Sequence, residues 1–236
     1  MKRTLGAIAL ALLLTSCGGD QQIDAARTLR DSATAMAQLK TASATLKIVK
    51  GTITIQGFTL VSARTAVRLP RDSDTVYTVK QQGVTIGLEV VIAGDRVFLH
   101  VPFSTFQEVK GADASAFPDM ARLFDSTTGL PAVIPAGSNP RYIATDKVDG
   151  QSAYQITTTY SPEQVRSLLS KLDSTGPVAA KLWVDTSNHL VRKAVLSGPF
   201  GDGGADASVE VNITGFNGAV AITSPSLPPP SSTPSP

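Results

Sequence analysis

Between Leu46 and Val101 apolar side chains fall on alternate positions, and this period of two limits the chain more than any other feature. Residues two apart point to the same side of a strand, so alternation marks strands with one face to a core and one to water. Leu46 and Ile48 alternate with Lys47; beyond a break at Lys50-Gly51, Ile53 and Ile55 alternate with Thr52 and Thr54. The phase slip at the glycine predicts a bulge or bend in one long strand. Thr59 to Leu69 follows, with Val61, Ala63 and Val67 on one face and Arg64, Ala66 and Arg68 on the other, and then Thr75 to Lys80. Val84, Ile86, Leu88, Val90 and Ile92 alternate with Thr85, Gly87, Glu89 and Val91; after a turn at Ala93 to Arg96 the chain returns as Val97 to Val101. Tight turns between such strands predict antiparallel hairpins. A parallel sheet covered on both faces would show continuous apolar runs instead.

The remaining chain adds strands and a few helices. Ala25, Ala26, Leu29, Ala33, Met36, Ala37 and Leu39 recur at near-helical spacing, predicting an amphipathic helix over Asp24 to Lys40. Phe117, Met120, Ala121, Leu123 and Phe124 suit a helix entered through Ser115, and Gly129 to Pro135 a short proline-bounded apolar turn or helix. Ser161-Pro162-Glu163 opens another: a serine cap, a proline at the first position, an acid in the first turn. Strand pattern resumes at Arg141 to Val148, Ser152 to Tyr160, Ala179 to Asp185, Leu190 to Ser197 and Ala207 to Gly215. The expected fold class is α+β: a curved antiparallel half-barrel sheet of about nine to eleven strands, with helices covering its concave face around an apolar cavity.

The N-terminus has its own logic. Lys2-Arg3 precedes a short apolar run, Leu5 to Leu14, closed by Thr15-Ser16-Cys17. The run falls short of the about 20 residues that span a bilayer core, so it reads as a removable signal, residues 1–16. Small residues before a cysteine predict cleavage at Cys17 and lipid on its sulfur; the alternative is an ordinary secretory signal with an incidental cysteine. Two or more acyl chains give stable anchoring. The expected organisation is a lipidated tether over residues 17–23, a domain over 24–223 and a Pro/Ser-rich tail over 224–236 that lacks the apolar content to fold. The expected location is the extracytoplasmic face of the cell membrane.

Composition narrows function. Without Lys2 and Arg3 the 21 basic residues fall to 19, equal to the acidic ones, so nothing favours nucleic acid. The single cysteine forms no internal disulfide and makes a zinc-thiolate site untenable. His100 sits in a strand and His189 at a hairpin tip, where solvation is expected; two histidines so far apart, with no acidic cluster nearby, argue against a metal site. Gly150-Gln151-Ser152-Ala153-Tyr154 misses the nucleophile elbow at its last position. Gly198 to Gly204 lacks the following Lys-Ser/Thr of a phosphate cradle and reads as a flexible connection. No enzyme chemistry and no cofactor is expected.

Several strings in order carry a resemblance: the lipobox at Cys17, Asp125-Ser126-Thr127-Thr128-Gly129-Leu130, Val148-Asp149-Gly150-Gln151, Pro177 to Asp185 with its hairpin, and Val220-Ala221-Ile222-Thr223-Ser224-Pro225. Together they resemble the LppX/LprAFG family of actinobacterial lipoproteins over nearly all of residues 34 to 225. The resemblance implies a half-barrel like that of the lipoprotein carriers of Gram-negative periplasms, enclosing a large apolar cavity. It implies multi-acylated lipids or glycolipids as cargo carried toward the outer envelope. Only Cys17 transfers residue for residue.

The physical case for a cavity stands beside it. An empty apolar void costs about 24 cal/mol per Å³, so a large one collapses or holds a ligand. Candidates for a ligand-binding wall are Ile53, Ile55, Val67, Ile86, Leu88, Val90, Val97 and Leu99 from the sheet. Leu123, Phe124, Leu130, Val133, Ile134, Leu168 and Leu172 are candidates from the cover. Each reads equally well as plain core. Phe103 and Phe106, beside Pro102, read as a cavity rim or as a satellite cluster. The leading reading is a membrane-anchored lipid carrier. The alternative is a non-enzymatic module whose groove docks a transporter or another envelope partner.

Overall fold

The computed structural model describes residues 23–115, 117–168 and 174–227. Among them a single antiparallel sheet organises everything. Its strands are β1 (Thr41–Lys50), β2 (Thr54–Ile55), β3 (Phe58–Arg68), β4 (Asp72–Gln81), β5 (Val84–Ala93), β6 (Arg96–His100), β7 (Gln107–Val109), β8 (Ser138–Val148), β9 (Gln151–Tyr160), β10 (Val178–Asp185), β11 (Val191–Gly198) and β12 (Ala207–Thr214). The spatial order is β7-β6-β5-β4-β3-β1-β12-β11-β10-β9-β8, with β2 paired to β3. Two meanders, β3 to β7 and β8 to β12, are therefore joined by the N-terminal strand β1. The outer strands β7 and β8 do not meet, so the sheet stays open as a half-barrel.

Hairpin turns set the register. Asp149 and Gly150 both take positive φ (49° and 79°), the turn geometry that matches strand twist and favours Asp-Gly. The tip between β10 and β11 is held by the buried carboxylate of Asp185, which accepts from Ser187 N and Oγ, Asn188 N and Arg192 Nε. Burial alone would raise this carboxyl, but those donors outweigh it and hold it at about 2.

Helices gather on one side. α1 (Ala25–Met36) is capped by Asp24, whose carboxylate accepts from Arg27 N at 2.9 Å, and buries Leu29, Ser32, Ala33 and Met36. α2 (Gly111–Ala114), α3 (Leu130–Val133) and α4 (Pro162–Leu168) follow, with 3₁₀ turns at Ala121–Phe124, Ile134–Ala136 and Asp202–Gly204. At α4 Ser161 N donates to Gln164 Oε1 (2.8 Å) and Gln164 N to Ser161 Oγ (3.4 Å), a capping box.

Several local expectations are corrected. The first helix ends at Met36, because the chain must turn before entering β1 at Thr41. No helix runs from Ser115 to Phe124: Pro118 interrupts it, and the Asp119 carboxylate takes the amides of Ala121 and Arg122 to start a 3₁₀ turn. Val61 does not share a face with Ala63, since a bulge between Leu60 and Ser62 shifts the phase and puts Leu60 inward. Gly51 ends β1 rather than bending it, and β2 folds back as a short hairpin. The glycine-rich stretch is tied down: Asp202 accepts from Thr54 N (2.8 Å) and Thr54 Oγ1 (2.6 Å), and Asp202 N donates to Thr52 O (2.9 Å).

The convex face has two apolar patches of its own. Trp183 packs with Val148, Ala153 and Val195. After β12, Asn217 binds the start of β1, with Lys40 N donating to Asn217 Oδ1 (2.8 Å) and Asn217 N to Thr41 O (2.9 Å). The chain then crosses the outside of the sheet as a strap. Arg68 Nη2 donates to Ile222 O at 3.0 Å, and the Ile222 side chain is buried on Val91 and Phe98.

Two outcomes follow. Ile222→Ala is expected to lower stability by about 2 kcal/mol in urea unfolding, at the low end for a buried isoleucine because a strap can resettle; an unchanged midpoint would show that the strap carries no stability. Asp185 has a folded pKa below its ordinary 3.8, so its contribution is present above about pH 4 and lost as pH falls toward 2. Acid unfolding of Asp185→Asn should therefore lack part of the wild-type slope in that window.

Candidate functional site

The concave face is where the apolar alternation of both meanders converges. Inward residues include Leu46 and Ile48 of β1, Leu88 and Val90 of β5, Leu182 and Val184 of β10, and Val211 and Ile213 of β12. α1 lies over β8 and β10 and against α3. Its stripe joins Val67, Phe124, Ile134, Ile156, Leu182 and Val184 in one buried cluster. α4 closes one end, with Val165 packed among Val133, Tyr160, Val178 and Phe200.

The cover is positioned by Asp125. One carboxylate oxygen accepts from Thr127 Oγ1 (2.7 Å), Thr128 N (2.7 Å), Thr128 Oγ1 (2.9 Å) and Thr127 N (3.0 Å). The Thr127 hydroxyl first, then the Thr128 donors, hold this carboxyl well below the usual carboxylate range. Gly129 follows because a Cβ there would stand 2.6 Å from the carbonyl oxygens of Asp125 and Leu123. The turn delivers Leu130 and Val133 to the concave side.

The two parts of this face are packed differently. Inward aliphatics at the centre of a wide sheet, flanked on both sides, should be its best buried residues. Here Leu46 and Ile48 of β1, Leu196 of β11 and Val211 of β12 are only half-buried. The register explains the room. Leu88, Tyr77, Ala63, Leu46, Val211, Ala194 and Leu182 form one cross-strand row, and alanines stand on either side of the Leu46–Val211 pair. The helices seal the β8–β10 side and leave Leu46, Ile48, Leu196 and Val211 partly accessible, while Val209, between Ile48 and Leu196, is buried.

The predicted wall residues fall into two groups by burial. Val67, Leu88, Val90, Ile53, Phe124, Val133 and Ile134 are buried by the protein's own side chains. Ile55, Ile86, Val97, Leu99, Leu123, Leu130 and Leu168 are half-buried on the concave side. Leu172 and Cys17 lie outside the described residues, as does residue 16 and everything before it. Sequence reasoning did not single out Leu46, Ile48, Leu196 and Val211, which are half-buried on the central strands. Their alternation was visible, but their central place depends on strand order.

Other features lie elsewhere. A shallow groove of about 450 Å³ along β1, β3 and β12 is lined by Thr45, Leu46, Lys47, Ala63, Arg64 and Glu210 among others. A second, of about 590 Å³, lies between Ile23–Ala26 and Pro140–Tyr142. None of the predicted wall residues lines either groove. His100 is on the convex side, Nδ1 3.4 Å from Glu89 Oε2 and stacked on Phe106 at 4.9 Å. His189 is not solvated at Nδ1, which is buried without a hydrogen-bond partner. Phe106 joins the Val91, Phe98 and Ile222 cluster, whereas Phe103 is fully exposed. No described helix is long and apolar enough to cross a membrane.

The chain matches the LppX_LprAFG lipoprotein family over residues 24–222 and belongs to it. Among solved structures it is similar to LprF from Mycobacterium bovis, at 16% identity and a TM-score of 0.68 over 85% of this chain and 96% of that one. It is also similar to the lipoprotein LppX from Mycobacterium tuberculosis, at 19% identity and a TM-score of 0.61 over 84% of this chain and 97% of that one. At such identities the likeness shows the fold. No curated protein matches the chain. Membership of this family supports a lipoprotein with a lipid-binding role.

Truncation separates the packed part from the open part. Met36→Ala is expected to cost about 2–5 kcal/mol in denaturant unfolding, as for a fully packed site. Leu46→Ala should cost less, about 1–2 kcal/mol, because part of the lost area is already open. Equal losses would mean that the centre is as tightly filled as the α1 side.

Proposed function

We propose that this member of the LppX_LprAFG family is a lipid-anchored carrier that shelters the acyl chains of a lipid or glycolipid between its concave sheet and its helices. It moves that cargo across the cell envelope while tethered through Cys17 to the extracytoplasmic face of the membrane. The carrying observation is the half-buried aliphatic centre of the sheet, Leu46, Ile48, Leu196 and Val211, beneath a cover that packs closely only to one side.

The chemistry suits hydrocarbon. Each methylene moved from water to an aliphatic wall contributes about 0.8 kcal/mol, so five sheltered methylenes contribute about 4 kcal/mol. Such a site needs no catalytic group. Release requires only a membrane or acceptor that shelters the chains equally well. Asp24 to Ile222 form the carrier proper, and the residues after Cys17 form a tether short enough to keep the mouth near the bilayer.

The test uses full-length protein expressed in a host that processes lipoproteins and analysed by native mass spectrometry. The expected result is a mature chain beginning at an acylated Cys17, with a further non-covalent mass of acyl lipid. Leu46→Trp should reduce that bound lipid at least about tenfold with the fold intact, since the indole takes the space of several methylenes. Val90→Trp is a poorer probe, because Val90 is fully packed and enlargement there strains the core. Full lipid occupancy in Leu46→Trp would contradict the assignment.

A further inference from the structure

Three buried polar atoms among the described residues have no hydrogen-bond partner: Ser32 Oγ, Tyr77 Oη and His189 Nδ1. Such orphans are uncommon, since roughly nine in ten buried polar groups are paired. His189 belongs to the β10–β11 hairpin tip. Ser32 lies on α1, where a rotation can return its hydroxyl to the preceding turn, as Thr28 Oγ1 does to Asp24 O at 2.9 Å. Tyr77 has no such local remedy, because its hydroxyl sits at the end of a rigid ring.

The surroundings of Tyr77 make the orphan specific. Its residue is 4% exposed, packed among Leu60, Ala63, Val79, Leu88 and Val90. Tyr160 is buried to the same degree (5%) yet donates to Ile134 O at 3.1 Å. The nearest hydroxyls on its strand face are engaged with each other, Thr65 Oγ1 and Thr75 Oγ1 at 2.8 Å. One oxygen of the Asp119 carboxylate, Oδ1, takes the amides of Ala121 and Arg122, and the Tyr77 hydroxyl bonds to neither oxygen. Burial, with the Asp119 charge second, pushes the phenol up, so it stays a protonated donor. Tyr77 also stands in the cross-strand row that runs through Ala63 to the half-buried Leu46.

We propose that the Tyr77 hydroxyl is the polar anchor of the apolar site, donating to a carbonyl oxygen where an acyl chain joins its head group. This rests on the carrier reading above and adds the residue that prefers acyl esters or amides to plain hydrocarbon or ether chains. The hydroxyl is closed off from solvent, so the ligand reaches it by moving the cover. The half-buried Phe117 ring stands beside the Tyr77 ring, 6.4 Å away centroid to centroid.

The test compares two neutral probes of equal chain length, a diacylglycerol and its dialkyl-ether analogue, on delipidated full-length protein. Wild type should bind the diacyl probe about fivefold more tightly, the size of one ordinary hydrogen bond. Tyr77→Phe should weaken diacyl binding about fivefold, leave ether binding unchanged and melt no lower than wild type. Retention of the diacyl preference by Tyr77→Phe would overturn the anchor, and so would a lowered Tm, which would mean that the hydroxyl has a structural partner. Wild-type protein that binds neither probe would overturn the carrier reading and this inference with it.

Discussion

A curved sheet that does not close leaves an aliphatic inner face, and that face must be kept from water. Every other feature answers to this constraint. β1 matters most because it pairs with β3 on one side and β12 on the other, fusing two meanders into one surface. Without it each meander would expose an edge, and the concavity would have no floor. The N-terminal helix is delivered across that concavity by the few residues before β1. Asn217 clamps the same junction from the chain's other end.

The answer is deliberately incomplete on one side. α1, α3 and the 3₁₀ turns pack tightly over the β8–β10 side, where Met36, Ile156 and Val184 are fully buried. Over the middle of β1 and β12 Leu46, Ile48 and Val211 keep accessible area although their strands are central. Small side chains at Ala63 and Ala194 open the space beside them. A domain with no use for that room would gain stability by filling it, because close packing is what stabilises interiors. The convex face shows the contrast. There Val91 and Phe98 are covered by the C-terminal strap and Trp183 by its neighbours.

Much of this was legible from alternation. The strands, the antiparallel hairpins and the α4 cap follow from side-chain period and local capping chemistry, and the family resemblance agrees with the match over residues 24–222. The misses have physical causes. Val91 reads as an outward residue of β5, and only the strap, with Ile222 laid over it, explains why valine stands there. The bulge at Leu60/Ser62 moves Val61 to the wrong side of a pattern that looks regular. β7 is three residues long, too short for any period. Alternation gives the inward face but not the order of strands. Leu46 and Val211 are distant in sequence, and only pairing makes them neighbours at the centre.

The central claim is that the middle of the concave face belongs to hydrocarbon rather than to the protein. Crystallography of the lipoprotein purified from its own membranes tests it most directly. The account predicts elongated density running along Leu46, Ile48, Leu196 and Val211 beneath the helices, with an acyl carbonyl in reach of Tyr77. Side chains from the cover meeting those residues directly, with no density between, would contradict it.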